Sequence, residues 1–166
     1  MQARKYLNNC FLLLIPILVW NLVLTPYLPV SFSPDTFWDE IPNWIFYTEN
    51  TLRIIVMAMP AVMVLSLKTE SQKLGFGCYL SGMVLYFLSW LPLILFPNST
   101  WSLSIFGFMA PAYTPVIWLT GIGLIGTSSF LNIRNLTPIY ISLSFLFVIV
   151  HAIHAFVVYQ RLQDPV

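Results

Sequence analysis

The chain has 166 residues, of which 58% are hydrophobic, 16% are aromatic and only 8% are charged. A soluble globular domain carries about 25% charged residues, so this composition excludes an ordinary water-soluble domain and predicts an integral membrane protein. The net charge of +1 leaves no basic surface for nucleic acid. We therefore expect membrane lipids, and no nucleic acid, as partners.

Five apolar stretches are long enough to cross a membrane as helices, since about 20 residues span the hydrocarbon core. The first ends in Tyr27 and Leu28 rather than in the small residues of a signal-peptide cleavage site, so we expect it to be retained. Pro42 favours the start of the second helix, and Thr137 with Pro138 is a start signal for the fifth. The sequence predicts an all-α integral membrane bundle, one polytopic domain over 1–166, with helices at about 7–30, 42–67, 76–96, 105–131 and 139–160.

A short segment between the first two helices, 33–41, is predicted to lie at the membrane surface. Ser33 followed by Pro34 is typical of a helix start. Phe37 and Trp38 are of the residue types that favour the membrane–water boundary. We expect one short interfacial helix here.

Basic residues predict the orientation, because short cytoplasmic loops carry an excess of Lys and Arg. Arg161, beyond the last predicted helix, is alone on one side of the predicted topology. The opposite side holds Arg4, Lys5, Lys68, Lys73 and Arg134. The N-terminus is therefore predicted in the cytoplasm and the C-terminus outside, in a cell membrane that best fits a bacterial inner membrane.

Three glycines in the fourth predicted helix resemble a nucleotide-binding pattern. Gly121, Gly123 and Gly126 fit G-x-G-x-x-G, but that function requires a strand before the pattern and a helix after it. Here the glycines lie inside an apolar stretch, and small residues let helix backbones approach closely in lipid. We interpret them as a helix-packing surface and predict no cofactor.

Ionisable residues inside the predicted helices are the strongest functional signal, because such groups are costly in a bilayer unless they meet a partner or a cavity. Glu49 and Arg53 are four residues apart and can pair on one helix face. His151 and His154 are three apart on another helix. With Glu49 as a third ligand the histidines could bind a metal, but hydrogen-bonded histidines are more common, and we predict no metal site. A purely structural Glu49–Arg53 pair stays open.

Polar and aromatic side chains from all five predicted helices fall at one depth. A helix rise of 1.5 Å per residue puts them about 9–14 Å below the outer ends of their helices. Pro111 and Pro115 interrupt the fourth helix at this level, and backbone freed by proline is tolerated where it lines a cavity. We predict a pocket with Trp20 in its wall and with ligand-binding residues Asn21, Asn50, Arg53, Tyr86, Trp90 and Tyr113.

A pocket that combines aromatic walls with a few polar groups is typical of sites for hydrophobic or amphipathic small molecules, such as a lipid or an isoprenoid. Glu49 could act as an acid or base with His151 or His154, so proton transfer is the chemistry we expect if the protein is an enzyme. Two alternatives stay open. The residues could line the path of a transporter, channel subunit or proton relay, or they could lock the helices of a non-catalytic membrane subunit. A homo-oligomer is compatible with each.

Single cysteines placed at Ser99 and Gln163 test the orientation. Both positions lie on the predicted outer side, so a membrane-impermeant thiol reagent should label both in intact cells. Protection of either position until the membrane is permeabilised would contradict the five-helix topology.

Overall fold

The computed structural model describes residues 8–163, in which the long regular elements are all helices and β-structure is limited to two isolated bridges. Arg4, Lys5 and the predicted helix start at residue 7 lie outside the described residues. Within the described part, four helical stretches are long and apolar enough to cross a membrane: Cys10–Tyr27, Glu70–Leu95, Ile105–Ile125 and Leu136–Gln163. This architecture is consistent with the membrane protein that the composition predicts.

Seven α-helices, α1 to α7, follow one another between residues 8 and 163: Ile15–Leu24, Pro34–Phe37, Asn43–Ala58, Glu70–Leu95, Ile105–Tyr113, Pro115–Ile125 and Leu136–Gln163. A 3₁₀ turn precedes α1 at Cys10–Leu13, and others follow at Thr25–Tyr27 and Val30–Phe32. The first helical stretch ends at Tyr27 because Leu28 precedes a proline and adopts an extended backbone with ψ 154°.

The second predicted helix is shorter than the sequence indicates. α3 has 16 residues and is followed by a 3₁₀ turn, Met59–Ala61, so the regular helix ends at Ala58 and not near residue 67. Pro60 lies in that turn, and residues 62–65 then pair with other chain segments: Val64 N–H donates to the Ser128 carbonyl at 2.8 Å. At 1.5 Å per residue, α3 is about 24 Å long, less than the ~30 Å of a bilayer core.

Two helices begin earlier than predicted. Thr69 and Gln72 form a capping box at the start of α4, in which the Gln72 carboxamide oxygen accepts from the Thr69 N–H at 3.1 Å. The first turn of α4 is polar, so the apolar stretch from which the helix is predicted begins only at Phe76. α7 starts at Leu136 and runs on to Gln163, so Arg161 lies inside the helix and not beyond it.

The fourth predicted helix is two helices with one break. Thr114 lies between α5 and α6, its hydroxyl donates to the Ala110 carbonyl at 2.7 Å, and Pro115 begins α6. Proline has no N–H and is favoured at the first helical position. Gly126 ends α6, so the stretch stops at Ile125 and not at residue 131.

Glycines bring α4 and α6 into direct backbone contact. A Cβ added to Gly121 would lie 2.5 Å from the backbone nitrogen of Tyr79, and one added to Gly82 would lie 2.4 Å from that of Trp118. Gly123 meets a side chain of α7 instead, since its added Cβ would lie 2.6 Å from Ile141 Cγ1. These contacts leave no room for larger residues and fix α4 against α6.

Replacing Gly121 by Leu should destabilise the protein by about 1–3 kcal/mol, because the side chain would force the two backbones apart. Gly77 provides the matched control on α4, since an added Cβ there meets nothing within 4 Å. Thermal unfolding in detergent should show a lower Tm for Gly121→Leu and an unchanged or higher Tm for Gly77→Leu. Equal Tm values for both variants would contradict the contact.

Candidate functional site

The four ionisable residues singled out by the sequence meet at one place. Glu49 of α3 contacts His151 and His154 of α7 as well as Arg53 of its own helix, and we call these four residues the Glu49 cluster. Glu49 Oε1 lies 3.0 Å from His151 Nδ1, and Oε2 lies 2.6 Å from His154 Nδ1. Arg53 Nη2 donates to Glu49 Oε1. The side chains of Glu49 and His154 are both 0% exposed.

Helix periodicity explains how α3 and α7 present these groups to each other. The spacing of Glu49 and Arg53 lets them pair along one face of α3. The buried face of α3 is otherwise apolar and consists of Ile45, Leu52 and Val56. The carboxylate therefore faces the bundle interior, where it requires donors from the neighbouring helix.

Residues 33–40, which we call the covering segment, lie over the Glu49 cluster. His154 Nε2 lies 2.8 Å from the Phe37 carbonyl oxygen, and the rings of Phe37 and Trp38 both have centroids 4.4 Å from the His154 ring. Arg53 Cζ lies 5.5 Å from the Trp38 ring, within cation–π range. Besides being of the residue types that favour the membrane–water boundary, Phe37 and Trp38 thus pack onto ionisable groups of the Glu49 cluster.

Arg161 holds this covering segment in place. Its guanidinium donates to the carbonyl oxygens of Thr36 and Asp39, on either side of Trp38. α2 is one turn long, with Ser33 accepting from the Thr36 N–H as its N-cap. Its backbone therefore depends on α7 side chains for part of its hydrogen bonding.

The hydrogen bonds of His154 determine where its protons lie. A carbonyl oxygen only accepts, so Nε2 donates its hydrogen to Phe37. Nδ1 faces a carboxylate oxygen at 2.6 Å, and two lone pairs at that distance would repel, so a proton lies between Glu49 and His154. Whichever atom carries that proton, the Glu49–His154 pair is neutral as a whole.

The same side chains could hold a metal ion. Glu49, His151 and His154 offer three ligand atoms within 4.8 Å of one another, and three protein ligands is the number in a catalytic zinc site. The bond from His154 Nε2 to a backbone carbonyl is also common for metal-bound histidines. However, Arg53 shares the carboxylate, and a second cation beside it is unfavourable. The absence of a metal site therefore stays a prediction.

A cavity of about 410 Å³ lies beside the Glu49 cluster. Arg53 and His151 belong to its wall, with side chains 37% and 22% exposed, whereas Glu49 and His154 lie behind them. Residues from the first helical stretch, α3, α4, α5, α6 and α7 all contribute to the wall, which is mainly apolar and aromatic: Ile17, Leu18, Phe32, Phe37, Met57, Phe108, Pro111, Ala112, Pro115, Trp118, Phe147 and Ala155.

Five of the residues predicted from the sequence line this cavity: Asn21, Arg53, Tyr86, Trp90 and His151. The Tyr86 hydroxyl donates to Asn21 Oδ1 at 2.7 Å across the wall. The two prolines of the fourth predicted helix also belong to the lining. The depth argument thus selects residues that lie together, while their function stays a prediction.

Three predicted residues face elsewhere. Asn50 donates to the Phe46 carbonyl at 2.9 Å, and the Tyr113 hydroxyl donates to the Phe106 carbonyl at 3.1 Å. Trp20 stacks on Phe87, with ring centroids 4.1 Å apart. None of the three is among the cavity-lining residues of the described chain. Depth along a helix does not determine the direction of a side chain around it, so residues at the same depth need not all line the cavity.

Trp118 and Phe147 are lining residues that sequence reasoning missed. The Phe147 ring stacks on His151 at 5.6 Å with an interplanar angle of 5°. Its position four residues before His151 is a signal that helix periodicity could have supplied. Trp118 lies in a uniformly apolar stretch, so nothing local distinguishes it from its neighbours.

No family model, curated protein or solved structure matches this chain. The function is therefore argued from the geometry of the site.

A double-mutant cycle measures the coupling of Glu49 and Arg53. Glu49→Gln leaves Arg53 without its carboxylate and should cost about 2 kcal/mol, less than for a fully buried pair because Arg53 is partly exposed. The double change Glu49→Gln with Arg53→Gln should restore most of this loss, because no uncompensated charge remains. The amide introduced at position 49 can still donate a hydrogen bond to His154 Nδ1. Tm in detergent measures both effects. Additive losses would show that the pair does not stabilise the fold.

Proposed function

We propose that this protein binds an amphipathic or hydrophobic small molecule of the lipid or isoprenoid type within the membrane. The observation that carries this proposal is the 410 Å³ cavity, whose wall is mainly apolar, with polar groups at Arg53 and His151, at the Asn21–Tyr86 hydrogen bond and at the Thr25 hydroxyl. Small-molecule sites have this composition, with apolar walls and few polar groups that orient the ligand. The apolar part of the ligand lies along the aromatic wall, and its polar end meets Arg53 and His151.

The proposal includes five membrane crossings, with the N-terminus in the cytoplasm and the C-terminus outside. α3 and the turn after it cover residues 43–61, which approach the ~30 Å of a bilayer core. Lys68 and Lys73 follow this crossing, as cytoplasmic residues would. In this orientation the cavity occupies the outer half of a bacterial inner membrane, and α2 lies near the outer interface.

If the protein is an enzyme, we propose that His151 exchanges the proton with the ligand. His151 reaches the cavity on one side and hydrogen-bonds Glu49 through Nδ1 on the other. A buried carboxylate orients an imidazole and stabilises its charged form, as in other acid–base pairs. Glu49 and His154 then position His151 and store a proton, since neither is among the cavity-lining residues described.

The alternatives have less support. A proton relay or channel requires a continuous polar path beyond the cavity. Ser144 and Tyr140 of α7 are buried on that side, but α6 presents only the fully buried apolar residues Leu119, Ile122 and Ile125 past Trp118. A purely structural subunit would be expected to pack this layer without a cavity.

Filling the cavity tests ligand binding. Ala112 lines the cavity, so Ala112→Phe should displace a bound molecule. Val84 on α4 is 52% exposed, and Val84→Phe adds the same ring to the outer surface as a control. Mass spectrometry of organic extracts from the purified proteins should find one lipid-like molecule per chain in the wild type and in Val84→Phe, and much less in Ala112→Phe.

Ala155→Leu provides a second filled cavity if Ala112→Phe fails to fold. Tm in detergent identifies the variants that fold. Equal retention of the molecule by folded cavity variants and by the surface control would contradict binding in this cavity.

A further inference from the structure

We infer that the molecule in this cavity carries an anionic oxygen group, a carboxylate or a phosphate, which lies against Arg53 and His151. This inference rests on the proposed binding function and specifies the class of its ligand as an anionic amphiphile. It follows from the charge of the Glu49 cluster and from the hydrogen-bond donors at the cavity wall.

The positive charges of the Glu49 cluster exceed its negative charges by at least one. The Glu49–His154 pair is neutral whether the shared proton lies on oxygen or nitrogen. Arg53 is always protonated, so its charge is left over in either arrangement. His151 adds nothing when neutral and a further positive charge when protonated. The net charge of the cluster is therefore at least one positive unit.

No other carboxylate neutralises Arg53. Among residues 8–163, Glu49 is the only acidic residue within ion-pair distance of it. The acidic residues of the covering segment, Asp35, Asp39 and Glu40, are exposed and form no ion pair within that range. The cavity lining itself contains no acidic side chain in the part of the chain described. An uncompensated charge in an apolar wall is costly, and a bound anion would reduce that cost.

The hydrogen-bonding groups at the wall are mainly donors. The Arg53 guanidinium has five N–H groups, and its hydrogen bond within the described residues goes to Glu49 alone. Asn21 uses its oxygen to accept from Tyr86, which leaves its amide N–H groups to donate. A ligand that satisfies these groups must supply acceptor oxygens.

An apolar chain with an anionic oxygen head fulfils both conditions. A fatty acid, an acidic phospholipid and a phosphorylated isoprenoid share this chemistry. A primary amine would be repelled by Arg53, and an alcohol would leave the charge uncompensated.

Binding of matched ten-carbon probes to the full-length protein in nonionic detergent tests the inference. Decanoate and decyl phosphate should bind at least about tenfold more tightly than decanol, the ratio expected from a hydrogen bond to a charged group. Decylamine should bind more weakly than decanol. Native mass spectrometry gives the Kd of each probe, because it resolves one bound molecule from none.

Paired substitutions identify the source of the preference. Glu49→Gln with Arg53→Gln removes both charges of the pair at once, so the preference for decanoate over decanol should fall to about twofold or less. The exposed pair Glu70–Lys73 provides the matched control. Glu70→Gln with Lys73→Gln should keep the full preference. An equal loss of preference in both double variants would show that general surface charge, rather than Arg53, attracts the anion.

Other outcomes distinguish failure of the anionic ligand class from failure of the proposed binding function. If none of the probes binds, the binding function itself fails. If decanol binds as tightly as decanoate, the binding function holds and the anionic class is wrong. If acetate or inorganic phosphate displaces decanoate at equal concentration, the site binds small free anions rather than amphiphiles. If metal analysis finds one ion per chain and chelation abolishes decanoate binding, a metal at Glu49, His151 and His154 holds the anion in place of Arg53.

Discussion

The buried carboxylate of Glu49 imposes the arrangement on which the rest of the site depends. A carboxylate that is buried away from water is stable only when hydrogen-bond donors contact its oxygens. Arg53 supplies one from the same helix, and the histidines of α7 supply the others at 3.0 and 2.6 Å. These bonds fix how α3 and α7 are rotated relative to each other. Because Glu49 and His154 are fully buried, the accessible side of the cluster consists of His151 and Arg53.

The covering segment belongs to the same network. His154 bonds the Phe37 carbonyl, and Arg161 bonds the Thr36 and Asp39 carbonyls. Backbone polar groups that are taken out of water require hydrogen-bond partners from the protein. Two side chains of α7 supply such partners to the segment, and the segment in turn covers His154, whose side chain is 0% exposed. His154 therefore both stabilises the buried carboxylate and anchors the segment that covers it.

The sequence predicts the coarse fold and part of the site for identifiable reasons. Apolar stretches predict helices because a bilayer requires about 20 such residues. The helix rise of 1.5 Å per residue then places Asn21, Trp90 and His151 at one depth. The failures have physical causes too. Asn50 and Tyr113 are at the right depth but face other directions, and Phe37 bonds His154 through a backbone carbonyl that any residue would offer. A contact made through a backbone carbonyl therefore leaves no trace in one sequence.

The charge of the cluster argues for function over stability alone. Replacing a buried ionic group by apolar residues of similar volume is often neutral or stabilising, so helix packing does not require four ionisable side chains. Packing is already provided elsewhere, where Gly82 and Gly121 bring α4 and α6 into backbone contact. Trp118 also lines the cavity, and Arg53, which belongs to the positively charged Glu49 cluster, lies in the cavity wall. A charge at the edge of an apolar cavity, beside helices that pack closely without it, supports the proposal that an anionic amphiphile binds there.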